Sequence, residues 1–415
     1  MNAIRPSQSP SVSALATDPR FTGLVDAARA LQPRTVALRR KIHKYPEQGL
    51  DLPRTQAAVV QALDGLGMQV MKGDKVSSVT AVLTGGRPGP TVLLRGDMDA
   101  LPLQEDSGLS YTSEVDGLMH ACGHDTHTAM LVSAARLLAS RKEALTGRVV
   151  FMFQPGEEGY HGARFMIHEG VLEAGGRPIE RAFALHITST DVSGVVRSKA
   201  GAMLAAADTF TVRVTGRGGH GATPSDALDP VPAAAAMVGA LQTMVTRRIS
   251  VFEPVVVTVG RITAGTTNNI IPETAELEGT FRSLSEASRK KVRDELPKLC
   301  QHIAAAYGCR ADVDLTPGYP VTVNDDELGP HVVDLASAVL GSRYAAPMPN
   351  PLMGAEDFSY VLQRVPGAFA FLGACPPGVE PAEADPNHSN RVHFDESALA
   401  NGVAMYAAFA LDALR

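Results

Sequence analysis

Asp208-Thr-Phe-Thr-Val-Arg-Val214 alternates along its length, with Phe210, Val212 and Val214 on one face. A period of two over such a run predicts a half-buried β-strand. Moving outward from it, the pattern predicts a helix over Pro230–Thr246 and strands over Val255–Thr263 and Ala275–Arg282. A helix over Glu286–Tyr307 and a strand over Arg310–Leu315 complete the set. The order β-α-β-β-α-β is that of a ferredoxin-like layer, a four-stranded sheet with two helices on one face. It can stand as a structure of its own.

The flanking sequence reads differently. Upstream, helices are predicted over Phe21–Tyr45 (divided by Pro33), Thr55–Leu66 and Thr126–Ser140, with strands over Ser78–Leu83 and Thr91–Arg95. Val149–Phe153 and Ala182–Ile187 are continuous apolar runs, as expected of strands covered on both faces. Downstream, Leu328–Leu340, Phe358–Gln363, Ala368–Leu372 and Ala398–Leu414 resume this helix-and-strand text. The last hundred residues are short of core on their own. The expected fold class is therefore α/β: a mixed-sheet domain in two pieces, 21–197 and 316–415, interrupted by an inserted domain over 198–315. The Ser/Pro-rich residues 1–20 are expected to be mobile.

Composition narrows the function. A length of 415 residues suits two or three domains. A net charge of -6 gives no basic footprint, so nucleic acid is not an expected partner. Trp is absent and aromatics total 5%, which argues against stacking platforms for bases or sugars. No run reaches the ~18 apolar residues of a membrane span. Four unevenly spaced cysteines and an N-terminus without an apolar signal run fit reduced thiols in a cytoplasmic protein.

Three histidines fall within eight residues in His120-Ala-Cys122-Gly-His124-Asp-Thr-His127. Cys122 and His124 are plausible metal ligands, and the intervening glycine allows backbone geometry that larger residues resist. A lone His or Cys is more often a packing residue, but here two acidic pairs must also be explained. Asp97-Met-Asp99 follows the apolar run Val92–Leu94, and Glu157-Glu158 follows Val149–Phe153. His186 ends a third such run. Open α/β sheets bind ligands outside the carboxyl ends of their strands. Adjacent carboxylates repel unless a cation or proton compensates, and a pair of divalent metals would do so while supplying a Lewis acid. There is no Gly-x-Ser-x-Gly elbow, no His-Glu-x-x-His helix and no P-loop. Cys122 as a nucleophile is disfavoured because surrounding carboxylates raise a thiol's pKa.

Eight segments in order carry a family resemblance. They are Arg39-Arg-Lys-Ile-His43-Lys-Tyr-Pro46-Glu47, Arg95-Gly-Asp97-Met-Asp99-Ala-Leu-Pro102, His120–His127, Phe153-Gln-Pro-Gly-Glu157-Glu158-Gly, Gly218-Gly219-His220-Gly-Ala-Thr-Pro224, Asn269-Ile-Ile-Pro272, Gly279-Thr-Phe-Arg282 and Gly354-Ala-Glu356-Asp357-Phe358. Together they resemble the M20 metallopeptidases, in the amidohydrolase branch of hippurate, N-acyl-amino-acid and auxin-conjugate hydrolases. The resemblance implies a dimetal-hydrolase catalytic domain with an inserted lid or dimerisation domain, and hence a homo-oligomer. It implies two divalent ions, zinc first with manganese, cobalt or nickel as substitutes, held by Cys122, His124, Glu158, His186 and His388. Glu157 matches the general base and Asp99 the residue that orients a ligand. His220 matches an oxyanion stabiliser, and Asn269 and Arg282 a clamp for the substrate carboxylate.

The implied reaction cleaves the amide bond of N-acyl or N-aroyl amino acids, such as hippurate or ochratoxin-like conjugates. A dipeptidase or carboxypeptidase would share the metal residues, whereas a non-enzymatic binding protein on this fold would have lost some of them. Asp97 stands where peptidase branches carry a ligand histidine. His161 follows the glutamate pair where small residues are usual, and either shapes the acyl pocket or hydrogen-bonds at the surface. His393 competes with His388 as the C-terminal ligand. His127 is expected to support a ligand from behind. His43, His168, His302 and His331 read as ordinary core or surface residues, and Cys300 and Cys309 as packing residues.

Overall fold

The computed structural model describes residues 11–414. The chain forms two compact units. One takes the chain up to Met203 with Val323–Asn350 and everything from Tyr360 on; the other takes Leu204–Thr322 and Pro351–Ser359.

The first unit is built on an eight-stranded mixed sheet. Its strands include β1 (Gln69–Lys72), β2 (Val79–Thr84), β3 (Arg87–Asp97), β4 (Thr146–Gln154), β5 (Arg181–Thr188) and β6 (Val196–Ser198). The order is β1-β2-β4-β3-β5, then Gly367–Gly373, β6 and Ala345–Pro347. β3 runs parallel to β4 and β5, and Gly367–Gly373 runs parallel to β5. Their carboxyl ends therefore share one edge. The buried residues of β3 to β5 form near-unbroken runs because helices cover the sheet.

The helices are α1 (Val12–Ala16), α2 (Leu24–His43), α3 (Pro53–Leu63), α4 (His124–Ala139), α5 (Gly162–His168), Leu328–Leu340 and the C-terminal Leu399–Ala413, with a short turn of helix at Ser359–Leu362. Phe183 of β5 stacks on Phe409 at 4.7 Å and meets Tyr406 edge-on at 5.6 Å, which ties the C-terminal helix to the sheet centre.

Two expectations are corrected here. Residues 1–10 lie outside the described residues, but 11–20 are ordered. Ser11 caps α1, Leu15 is buried in the core, and Arg20 donates to the Leu411 carbonyl at 2.7 Å. Pro33 does not divide α2, which runs unbroken through it. Pro33 is exposed, so the carbonyl it leaves without a donor faces water, while Ala28, Thr35, Arg39 and Ile42 keep one buried face on either side.

The second unit holds a four-stranded antiparallel sheet, in the order Val255–Ala264, Thr274–Ser283, Ala206–Thr215, Arg310–Pro317. Helices Pro230–Arg248 and Glu286–Ala306 pack on it around Phe210, Val212, Leu277, Phe281, Met237, Leu241 and Leu296. This is the predicted β-α-β-β-α-β order. Gly279 is required by close approach, since a Cβ there would lie 2.3 Å from the Thr258 carbonyl and 2.4 Å from the Phe210 ring. Among the described residues no helix is long and apolar enough to cross a membrane. All four cysteines are free and buried.

Candidate metal centre and catalytic site

Three strand ends and one helix start build the site within the first unit. β3 runs into Asp97 and Asp99, β4 into Glu157 and Glu158, and β5 carries His186 near its end. Cys122 and His124 precede and open α4. Gly123 between them has φ +86°, and a Cβ there would lie 2.4 Å from Ile187, so glycine is needed on both counts. His388 comes from the C-terminal piece. Its φ of +70° is rare for a side-chain-bearing residue, and its N–H donates to the Ala121 carbonyl at 2.9 Å.

The donor atoms converge. Cys122 Sγ lies 3.4 Å from His186 Nε2 and 3.3 Å from His388 Nε2. His388 Nε2 is also 3.3 Å from Glu158 Oε1. His124 Nε2 stands 3.9 Å from Glu158 Oε1 and 4.0 Å from Glu157 Oε2. Cys122, His124 and His186 form one group with donor atoms within 4.8 Å of one another, and Cys122, Glu158 and His388 form another. Cys122 is common to both.

Hydrogen bonds on the far side of each ring leave donors facing inward. His186 Nδ1 donates to the Ile187 carbonyl at 2.7 Å, so its Nε2 lone pair points toward Cys122. Asp99 Oδ1 takes His124 Nδ1 at 3.3 Å, leaving His124 Nε2 facing inward. Among the described residues, His124 Nε2 and Glu158 Oε1 are buried without an aligned hydrogen bond. Buried polar atoms are seldom left so. A thiol, imidazoles and a carboxylate oriented this way fit divalent cations.

Charge explains why Asp97 stands apart. Burial opposes its ionisation, but Arg95, His124 and His127 outweigh it and hold the carboxyl well below the usual range. Arg95 Nη1 binds Asp97 Oδ2 at 2.7 Å and His127 Nδ1 binds Oδ1 at 2.5 Å, so both oxygens are engaged. His127 spends its other nitrogen accepting the Ile187 N–H at 2.7 Å, which makes it a support rather than a donor. Burial and then Glu158 push the Cys122 thiol up, a cost that a bound cation removes. His393 Nε2 donates to the Ser107 carbonyl at 2.8 Å, and among the described residues it is His388, not His393, that joins a candidate donor group.

The remaining predicted residues fall as follows. His161 has φ +57° and its Nδ1 meets the Tyr360 hydroxyl at 2.9 Å, while Arg164 lies over the Tyr360 ring. His220 and Asn269 lie together in the second unit: Ile270 pairs with His220, and the Gly221 N–H donates to the Asn269 carbonyl at 2.9 Å. Arg282 lies on Thr274–Ser283 and donates to the Met353 carbonyl at 3.1 Å. His43 and His331 are core residues, as expected, but each has a carboxylate partner. His43 is buried against Asp125 and Glu105, and His331 Nε2 meets Asp412 at 2.8 Å. Sequence reasoning also missed Arg39. The signal was a charged pair four residues apart on the apolar face of a helix.

Comparison with known proteins agrees with this architecture. Peptidase family M20/M25/M40 matches residues 93–412. Thermostable carboxypeptidase 1 of Saccharolobus solfataricus is 37% identical over 94% of this chain and 97% of its own length. Hippurate hydrolase of Campylobacter jejuni is 35% identical over 93% and 98%. A crystal structure of a dinuclear metal-binding M20 peptidase from Bacillus subtilis superposes with a TM-score of 0.80 at 30% identity, covering 93% of this chain and 99% of that one. The chain belongs to the M20 peptidase family, in its amidohydrolase branch, and is a metal-dependent hydrolase of amide bonds.

Proposed function

We propose that the protein cleaves the amide bond of N-acyl and N-aroyl amino acids, with hippurate-like and ochratoxin-like aromatic conjugates as the first candidates. The products are a carboxylic acid and a free amino acid. The observation that carries this reading is the pair of donor groups sharing the buried Cys122, with the buried Glu157 beside them. Two divalent ions would be held by Cys122, His124, Glu158, His186 and His388, with zinc favoured by the mixed S/N/O donor set. When bound, they supply Lewis acidity and lower the pKa of water to ~7.

The chain's own groups do the rest. Glu157 takes the proton of the attacking water and passes it to the leaving amine. Asp99 sets that geometry, because its two oxygens accept the N–H groups of Glu157 and Glu158, each at 3.0 Å. His220 Nδ1 accepts the Ala222 N–H at 3.0 Å, so the neutral ring carries its proton on Nε2, the form that can donate to an oxyanion. Asn269 and Arg282 hold the substrate carboxylate, for which a guanidinium fork is well shaped. His161 with Tyr360 contributes to the acyl side.

Four buried free thiols fit a reducing, cytoplasmic setting. The second unit's edge strand Val255–Ala264, with Val256 and Ile262 exposed, suits pairing with another copy of the chain. A carboxypeptidase reading is favoured by the relative of that name. The test is turnover of hippurate, N-acetyl amino acids, aroyl-phenylalanine conjugates and dipeptides by zinc-reconstituted protein, with metal analysis. Higher kcat/KM on an N-acyl or N-aroyl substrate is expected; faster dipeptide cleavage would put the carboxypeptidase reading in its place.

A further inference from the structure

The segment Arg39–Gln48 contains one of the eight family-like motifs, yet none of its side chains belongs to the metal or substrate set. Its buried groups converge on the segments that do. Arg39, 1% exposed, donates Nε to Asp125 Oδ2 at 2.8 Å, and Nη1 to the Tyr111 hydroxyl at 2.5 Å and Glu396 Oε1 at 2.9 Å. His43, also 1% exposed, places Nδ1 on the same Asp125 oxygen at 2.8 Å and Nε2 on Glu105 at 3.2 Å. Asp125 is the residue after His124. A few residues on, the Glu47 carbonyl accepts the Ala100 N–H at 2.8 Å and Gln48 bridges to Ala100, the residue after Asp99. The Glu47 carboxylate in turn caps α3 through the N–H groups of Arg54 and Thr55. One short stretch thus grips both metal-site segments one residue past their functional side chains.

Stability alone is a poor reason for this cluster. Removing charges from water is costly, and apolar replacements of similar volume are often as stable. What hydrogen-bonded charges do provide is direction. Asp125 sits in the first turn of α4, where a carboxylate ordinarily turns to its own helix N–H groups, but both donors to its Oδ2 come from α2.

We propose that Arg39 and His43 are positioning residues for the metal centre: by fixing the Asp125 carboxylate they set where Cys122 and His124 present their donor atoms. The inference rests on the metal reading above, so the test begins with cobalt(II) binding by the chelator-stripped, unmutated protein, followed through the thiolate-to-cobalt charge-transfer band. His43→Asn keeps a donor in the place of Nδ1, facing Asp125, whereas His43→Gln keeps one in the place of Nε2, facing Glu105. His43→Ala, His43→Gln and Arg39→Lys should weaken cobalt binding ~10–100-fold and shift the band, the usual scale for groups behind a ligand. His43→Asn should recover most of the affinity. Arg289→Lys, which disturbs a buried ion pair with Asp208 in the other unit, should lower the Tm without changing cobalt affinity. Parent-like affinity and band in the His43 and Arg39 variants would overturn the inference, as would equal impairment of His43→Asn and His43→Gln. Absence of cobalt binding by the unmutated protein would overturn the metal reading and this inference with it.

Discussion

Asp99 illustrates how much one carboxylate can organise. It receives two backbone N–H groups from the glutamate pair and one ring nitrogen from His124, so three functional residues share one reference point. Glu157, by contrast, is fixed through its backbone and has its carboxylate turned to the donor cluster. Glu157→Gln should therefore leave metal content at the parent level while turnover falls by about 10²–10⁴-fold, the usual worth of general acid–base help. Turnover assays paired with metal analysis check both halves. Cys122, His124, Glu157 and Glu158 were visible in sequence because each sits in a short motif beside an apolar run. The role of His43 was hidden because its partner Asp125 lies 82 residues away, and no local pattern joins them.

At the level of elements, legibility followed length and exposure. β3, β4 and β5 announced themselves as apolar runs, and Leu328–Leu340 was read to the residue. α4 and Leu399–Ala413 are buried almost throughout, so they show little amphipathic contrast. β1, β6 and Ala345–Pro347 are too short for any period to emerge, and α5 is seven residues beside a glycine-rich loop. α2 shows packing overriding propensity: Arg39, Ile42 and His43 on one side of Pro33 and Leu24 and Ala28 on the other hold the helix to the core. Because the exposed ring gains nothing from its surroundings, Pro33→Ala should stabilise the protein by about 1–3 kcal/mol. Urea unfolding with the same m-value would show it as a raised midpoint.

Across the whole molecule, Glu396 fastens the C-terminal segment to α2 through Arg39 and Arg40, more than 350 residues away in sequence. Burial alone would raise its pKa, but Arg40 and Arg39 outweigh burial and lower it. A carboxyl depressed on folding contributes its stability fully above the unfolded value of about 4.3 and loses it as pH falls through the folded value. Between about pH 6 and pH 3 the Tm of Glu396→Gln should therefore fall less than that of the parent, although it starts lower at pH 7. Thermal melts of the metal-free forms separate this from metal loss.

The sheet order also dictates when the molecule can be finished. Gly367–Gly373 fills the gap between β5 and β6, and Leu399–Ala413 covers the sheet centre. The strands and helices of the inserted sheet, in contrast, all come from Ala206–Pro317. During synthesis the insert has every strand it needs while β5 and β6 still wait with open edges, the exposure that invites aggregation. The unit that begins before the insert closes only after it.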